Sequence, residues 1–443
     1  MRPYPIGNGT VSPRVPKEFA ALMDALQLEG SNTEALLALD DAEWLRLLEF
    51  CDLSHLALAL SQVNLGRAPE WVLNRLEANV CDNTLRFKHV RAAYVEAAAA
   101  LRHAGVPHLV LKGFTQCPDY VSDPGLRMQS DIDLYCPQQQ IQMGQAALMR
   151  IGYRPVDGPD YSRADHVPSL SRPGNWEWRG NPYDPKMPPG IELHFCLWNE
   201  SVSLIEIPEV AQFWGRRVSR KLDGMEFCGL SAADHLGYLS LHILRGVLSG
   251  DWVVHHVLEL ARFLHTRARD VEFWSQWHEV HSSNLRRVEA IAFGLARSWY
   301  SCALPEVARV EVDRLPEAQK QWLRRFGGSP LEVMFRRNKD GHLLRLLLAT
   351  SRTSRKSALL GAILPRRVAG PDDTEVSMKY RRPVKLNASR YVKYAAYLAD
   401  RVVVNCAANA SFLLHGLKLW LSTRALSAQF WLFLGAPFFW PRQ

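Results

Sequence analysis

The sequence has no cysteines at metal or redox spacing, no long apolar run and no internal repeat, and each gap removes a class of function. Its eight cysteines are scattered, so neither a zinc ribbon nor a CxxC redox site is expected. Met1–Phe19 contains proline and glycine but no apolar core. A secretory leader is therefore not expected, and the thiols read as reduced in a cytoplasmic protein. The most apolar stretch, Phe430–Trp440, falls short of the roughly 20 residues that a bilayer helix needs. No stable membrane span is predicted.

What is present has a globular balance: 443 residues, 47% hydrophobic and 22% charged, enough for about two to four domains. The net charge of +8 is uneven: Arg324–Gln443 holds 21 Lys+Arg against 6 Asp+Glu, leaving 32 against 39 for Met1–Leu323. A basic C-terminal quarter on an acidic body raises the question of an anionic partner, although charge speaks to association and not to fold.

Apolar spacing divides the chain into an N-terminal tail (1–31), a helical N-terminal region (32–105), a central core (106–230), a second helical domain (231–310) and a basic helical C-terminal extension (311–443). In the core, Gly105-Val106-Pro107 stops a helix, and His108–Leu111 is a buried-strand run. Asp131–Tyr135 and Gly190–Phe195 are further strand candidates. Between these two lie an amphipathic helix, about 138–151, and a Pro/Gly/Trp-rich stretch, Arg154–Pro189, read as a long functional loop. Ser231–Asp234 resembles a capping box opening the next helix.

Asp131 and Asp133 carry the most information. In a strand they share a face about 6.6 Å apart, while Ile132 and Leu134 turn into a core. Two carboxylates aimed at one point repel by about 2 to 3 kcal/mol at an effective dielectric of about 20, so the arrangement calls for a cation. Hard oxygen ligands on a rigid strand suit Mg²⁺. The bland alternative is a solvated strand face. Three features weigh against it. Lys112-Gly113 follows the first strand run, where a glycine lets an anion approach the backbone. Arg127 lies in the Pro124-Gly125 loop, within reach of a phosphate. Glu192 sits in a strand and can add a third carboxylate, with His194 on its face.

The string Leu111-Lys112-Gly113, Tyr120, Pro124-Gly125-Leu126-Arg127, Ser130-Asp131-Ile132-Asp133-Leu134 and Ile191-Glu192-Leu193-His194-Phe195 resembles the uncharacterised branch of the polymerase-beta-like nucleotidyltransferases, over roughly residues 40 to 310. Leu239-Ser240-Leu241-His242, Trp252 and Glu259 also match. The resemblance implies an α+β fold: a mixed sheet with flanking helices, embedded between helical N- and C-terminal regions. It further implies transfer of an NMP group from an NTP to an acceptor hydroxyl, on a small molecule or peptide, with pyrophosphate released. In that chemistry two Mg²⁺ ions are held by Asp131, Asp133 and Glu192, with His194 the less favoured ligand. Lys112, Gly113 and Arg127 bind the nucleotide, and His242 is a further candidate contact.

Two other functions stay open: addition to an RNA 3′ end, which would use the basic C-terminus, and a non-catalytic antitoxin-like or binding protein on the same fold. On the second helical domain, His235, Tyr238, His242 and Arg245 form one stripe, and Trp252, His255, Glu259 and Arg262 another. They read as polar seams packed against the core, with a metal site as the lesser alternative. Trp274, Trp277, Trp299 and Trp322 read as core.

Overall fold

The computed structural model describes residues 15–156, 165–363 and 388–423. The chain divides into two compact units: Met1–Gly246 with Trp252–Leu315, and Val247–Asp251 with Pro316–Gln443.

The first unit is built on a seven-stranded mixed sheet in the order β3-β4-β5-β2-β1-β7-β6. The strands are β1 (Leu109–Val110), β2 (Asp131–Tyr135), β3 (Arg154–Pro155), β4 (Leu170–Ser171), β5 (Gly190–His194), β6 (Val218–Leu222) and β7 (Met225–Gly229). At its centre β2 and β5 run parallel, pairing Asp131 with Gly190, Asp133 with Glu192 and Tyr135 with His194. Alternation then sends Ile132, Leu134, Ile191 and Leu193 to the opposite face, where all four are fully buried. Each such side chain contributes about 1.5 to 3 kcal/mol of burial, which sets the register of the polar face.

The helix Glu70–His103 packs its Val90, Tyr94, Ala97 and Leu101 into that core. The same stripe continues toward its N-terminus as buried Asn79, Asn83 and Arg86. These polar groups tie down the chain ahead of β2. Asn83 donates to the Gly125 and Arg127 carbonyls. Arg86 donates to the carbonyls of Gln129, Ser130 and Met187.

The helices Ala232–Ser249, Val254–Thr266, Val271–Val280 and Ser283–Tyr300 follow the sheet. Ser231 caps the first, its Oγ accepting from Asp234 N–H at 3.3 Å and donating to the Asp234 carboxylate at 2.8 Å. Trp274, Trp277 and Trp299 are buried here, and Trp322 in the second unit.

Several expectations need correction. Lys17–Ala25, inside the segment read as tail, is a helix with Phe19 and Leu22 buried. The stretch read as a loop between Arg154 and Pro189 contains the short strands β3 and β4. The β6–β7 hairpin was not anticipated; Asp223 and Gly224, at φ 47° and 78°, form its turn.

The second unit gathers around Asp340 at the start of the helix Asp340–Leu348. Its carboxylate accepts from Ser329 Oγ at 2.6 Å and His415 Nδ1 at 2.7 Å, and its carbonyl accepts from Trp322 Nε1 at 2.8 Å. His415 lies on the helix Ala388–Thr423. The Lys379–Lys385 basic run and the Phe430–Trp440 apolar stretch lie outside the described residues. Among the described residues, no helix is long and apolar enough to cross a membrane.

Candidate functional site

The polar face of β2 and β5 gathers Asp131, Asp133, Glu192 and His194. Asp133 is 3% exposed. Its Oδ1 takes Lys112 Nζ at 2.9 Å and His194 Nε2 at 3.0 Å. Glu192 Oε2 is 3.7 Å from His194 Nε2, and Glu192 Oε1 accepts at 2.7 Å from Ser169, the residue before β4. Asp133, Glu192 and His194 each present a ligand atom within 4.8 Å of the others, forming a candidate metal set. That grouping differs from the expected Asp131, Asp133 and Glu192, because the diagonal between strands brings His194 onto Asp133.

Burial and the neighbouring Asp133 push the Asp131 carboxyl up to about 6. Burial also opposes ionisation of Asp133, but Lys112 and the His194 hydrogen bond more than offset it and hold this carboxyl well below the usual range. Lys112 shows the mirror image: burial works against its charge, and Asp133 holds it firmly protonated. A fixed ammonium already compensates part of the acidic face.

Gly113 follows Lys112 with φ +71°. A Cβ there would lie 2.2 Å from Gln129 Nε2. The Gln129 amide fills that space because it bridges two segments, accepting from Phe114 N–H at 3.1 Å and donating to the Asp131 carbonyl at 2.8 Å. Gly113 opens a single 3-10 turn, Gly113–Gln116.

Arg127 turns to the helical domain, its Nε donating to Glu259 Oε1 at 2.7 Å. Gln116 Nε2 donates to the other oxygen, Oε2, at 3.0 Å. Burial opposes the Glu259 charge, yet Arg127 keeps it ionised far below the ordinary range. His242 has both ring nitrogens engaged, Nδ1 with Arg245 at 3.0 Å and Nε2 with His256 at 3.1 Å. The two helical seams thus meet each other as well as the core. A cleft lined by His55, Arg127, Met128, His255, Glu259 and Arg262 opens beside them.

The sequence reading missed Arg86, Gln129, Asp165, Ser169, Arg245 as an anchor, and His256. One signal was available for Arg86: Asn79, Asn83 and Arg86 extend the apolar stripe Val90-Tyr94-Ala97 at helical spacing, so their burial follows from the period. Asp165 and Ser169 offer none, since their partners are distant in the chain.

No curated protein and no solved structure matches the chain. A family model described as uncharacterised nucleotidyltransferase matches residues 40–301, which span the sheet, the Lys112-Gly113 turn and the helical seams. With its acidic strand pair, half-buried lysine and polar helical seams inside that span, the chain belongs to this family of uncharacterised nucleotidyltransferases.

Proposed function

We propose that the chain transfers an NMP group from an NTP to a hydroxyl of a small molecule or peptide and releases pyrophosphate, on a polymerase-beta-like core. The observation that supports this reading is the parallel pairing of β2 with β5, which sets Asp131, Asp133, Glu192 and His194 on one face beside Lys112. Carboxylate oxygens dominate that donor set, as Mg²⁺ requires, and the distances of the Asp133–Glu192–His194 group fit one cation. In this reading Asp131, Asp133 and Glu192 hold Mg²⁺, two ions as in related chemistry, and His194 adds a ligand. When bound, the metal neutralises triphosphate charge and makes the acceptor hydroxyl easier to deprotonate.

A liganding His194 would carry its proton on Nδ1, which faces Asp165 Oδ1 at 3.8 Å. A carboxylate in that place orients a metal-bound imidazole. Lys112 directs its ammonium to the phosphates, and the Gly113 N–H lies along the triphosphate. Glu259 takes Arg127 Nε and the Met128 carbonyl takes Nη1, so phosphate would meet Nη2. The acceptor oxygen forms a bond to the α-phosphorus as the α–β bridging P–O bond breaks. The electron pair leaves with pyrophosphate, and the hydroxyl proton passes to Glu192. Positioning and charge neutralisation supply most of the rate.

The test is pyrophosphate release from the four NTPs with Mg²⁺ and candidate hydroxyl acceptors. Release that persists in an Asp131→Ala, Asp133→Ala double variant would contradict the assignment.

A further inference from the structure

A chain of contacts joins the two ends of the site through residues that touch neither nucleotide nor metal in the reading above, on which this inference rests. Glu259 Oε1 holds Arg127, and Glu259 Oε2 meets His256 Nδ1 at 3.2 Å. His256 Nε2 meets His242 Nε2 at 3.1 Å, and His242 Nδ1 meets Arg245 Nη2 at 3.0 Å. The other Arg245 nitrogen, Nη1, is bound to Asp165, whose remaining oxygen faces His194 Nδ1.

The donors and acceptors of this chain have one consistent assignment. An ionised carboxylate only accepts, so His256 Nδ1 carries a proton toward Glu259. A guanidinium only donates, so His242 Nδ1 presents its lone pair to Arg245. The two Nε2 atoms share one hydrogen bond, and a proton on both would set N–H against N–H. With Nδ1 of His242 unprotonated, its Nε2 carries the proton and His256 Nε2 accepts. Burial works against charge on both rings; at His242 Lys112 adds to the effect, and at His256 the Glu259 carboxylate opposes it without overcoming it. Among the described residues, the ligand atoms of Asp133, Glu192 and His194 form the one group of three or more close enough to share a metal, and neither His242 nor His256 belongs to it.

We propose that His242 and His256 form a tautomer-locked pair that positions Arg127 for the triphosphate and Asp165 behind His194, coupling nucleotide binding to the carboxylate cluster. The anion at one end and the cation at the other fix the ring orientations. Turning either ring breaks two hydrogen bonds at once. His242, expected as a nucleotide contact, is on this geometry a positioning residue.

The test uses the full chain labelled with ¹⁵N-histidine at neutral pH, with the His242 signal identified by its loss in His242→Gln and the His256 signal by its loss in His256→Asn. The expected result is His256 protonated on Nδ1 alone and His242 on Nε2 alone. His256 protonated on Nε2, or a doubly protonated ring at either position, overturns the proposal. Binding of MgATP, MgGTP, MgCTP and MgUTP is then measured by calorimetry. Glutamine at 242 can accept from Arg245 and donate to His256, so His242→Gln keeps affinity within about threefold for the tightest nucleotide. His242→Leu loses roughly 5-fold to 30-fold, the upper part of the range of coupling along such networks. Equal affinities for the two variants, both folded by circular dichroism, overturn the proposal. If the wild-type chain binds none of the four nucleotides, the nucleotidyltransferase reading fails, while the wild-type ring tautomers still decide the pair.

Discussion

Lys112 Nζ lies 2.9 Å from Asp133 Oδ1, with the two side chains 16% and 3% exposed. A lysine from the turn after β1 thus holds the most buried carboxylate of the sheet in its ionised form. Removing one member of such a pair strands the other charge in low dielectric, at a typical cost of about 3 to 5 kcal/mol. Lys112→Met should lose that much stability in urea unfolding. If a cation binds beside Asp133, millimolar Mg²⁺ should recover part of the loss and raise the melting temperature more in Lys112→Met than in the wild type. An equal Mg²⁺ effect in both proteins would argue that no cation reaches Asp133.

Gly113→Ala should destabilise through two separable terms. The φ of +71° costs a residue with a Cβ about 1 to 2 kcal/mol. The new methyl also displaces the Gln129 amide and breaks its bridge from Phe114 to Asp131. Adding Gln129→Ala removes the clash but not the backbone strain. The double variant should therefore be more stable than the sum of the two single losses predicts, as read by denaturant midpoints.

Arg86→Leu should loosen the approach to β2. The guanidinium satisfies the carbonyls of Gln129, Ser130 and Met187 from a fully buried position. Leucine fills part of the volume and leaves those acceptors unmet, at about 1 to 3 kcal/mol for each one that stays buried. Hydrogen exchange should rise over residues 125–131 more than over the distant helix Ser283–Tyr300.

His281 gives the fold a pH dependence. Burial opposes its charge, but Glu289, with Nδ1 at 3.0 Å from Oε1, and Asp234 lift its pKa to about 9. The folded state therefore binds this proton more tightly than the unfolded chain, where histidine titrates near 6.5. Its contribution, on the order of 3 kcal/mol, is fully present below pH ~6.5 and is lost as the pH rises to about 9. Urea unfolding of the wild type should weaken across that window, and His281→Gln should flatten the profile.

The local signals of the site were legible, and its long-range pairings were not. Asp131, Asp133 and Glu192 stand out because strand alternation puts charge where a core-facing strand would tolerate none, and the structure sets them on one face. Arg127 has a partner that spacing could not name: Glu259, on a helix far along the chain. The same holds for His194 with Asp133 and for Arg245 with Asp165. Gln129 looks like an ordinary loop residue until the space above Gly113 is known. The β6–β7 turn is different, since Asp223-Gly224 between short alternating runs is a hairpin signal in its own right.

The central claim is that this acidic face transfers the α-phosphoryl with its nucleoside. The direct measurement follows label from NTPs marked at the α- or the γ-phosphate into an extract of small molecules and peptides, with Mg²⁺ present. The expected result is acceptor labelled only from α-marked NTP, pyrophosphate released in equal amount, and neither in Asp131→Asn, Asp133→Asn. Label entering the acceptor from the γ-position, or transfer undiminished in that variant, would contradict it.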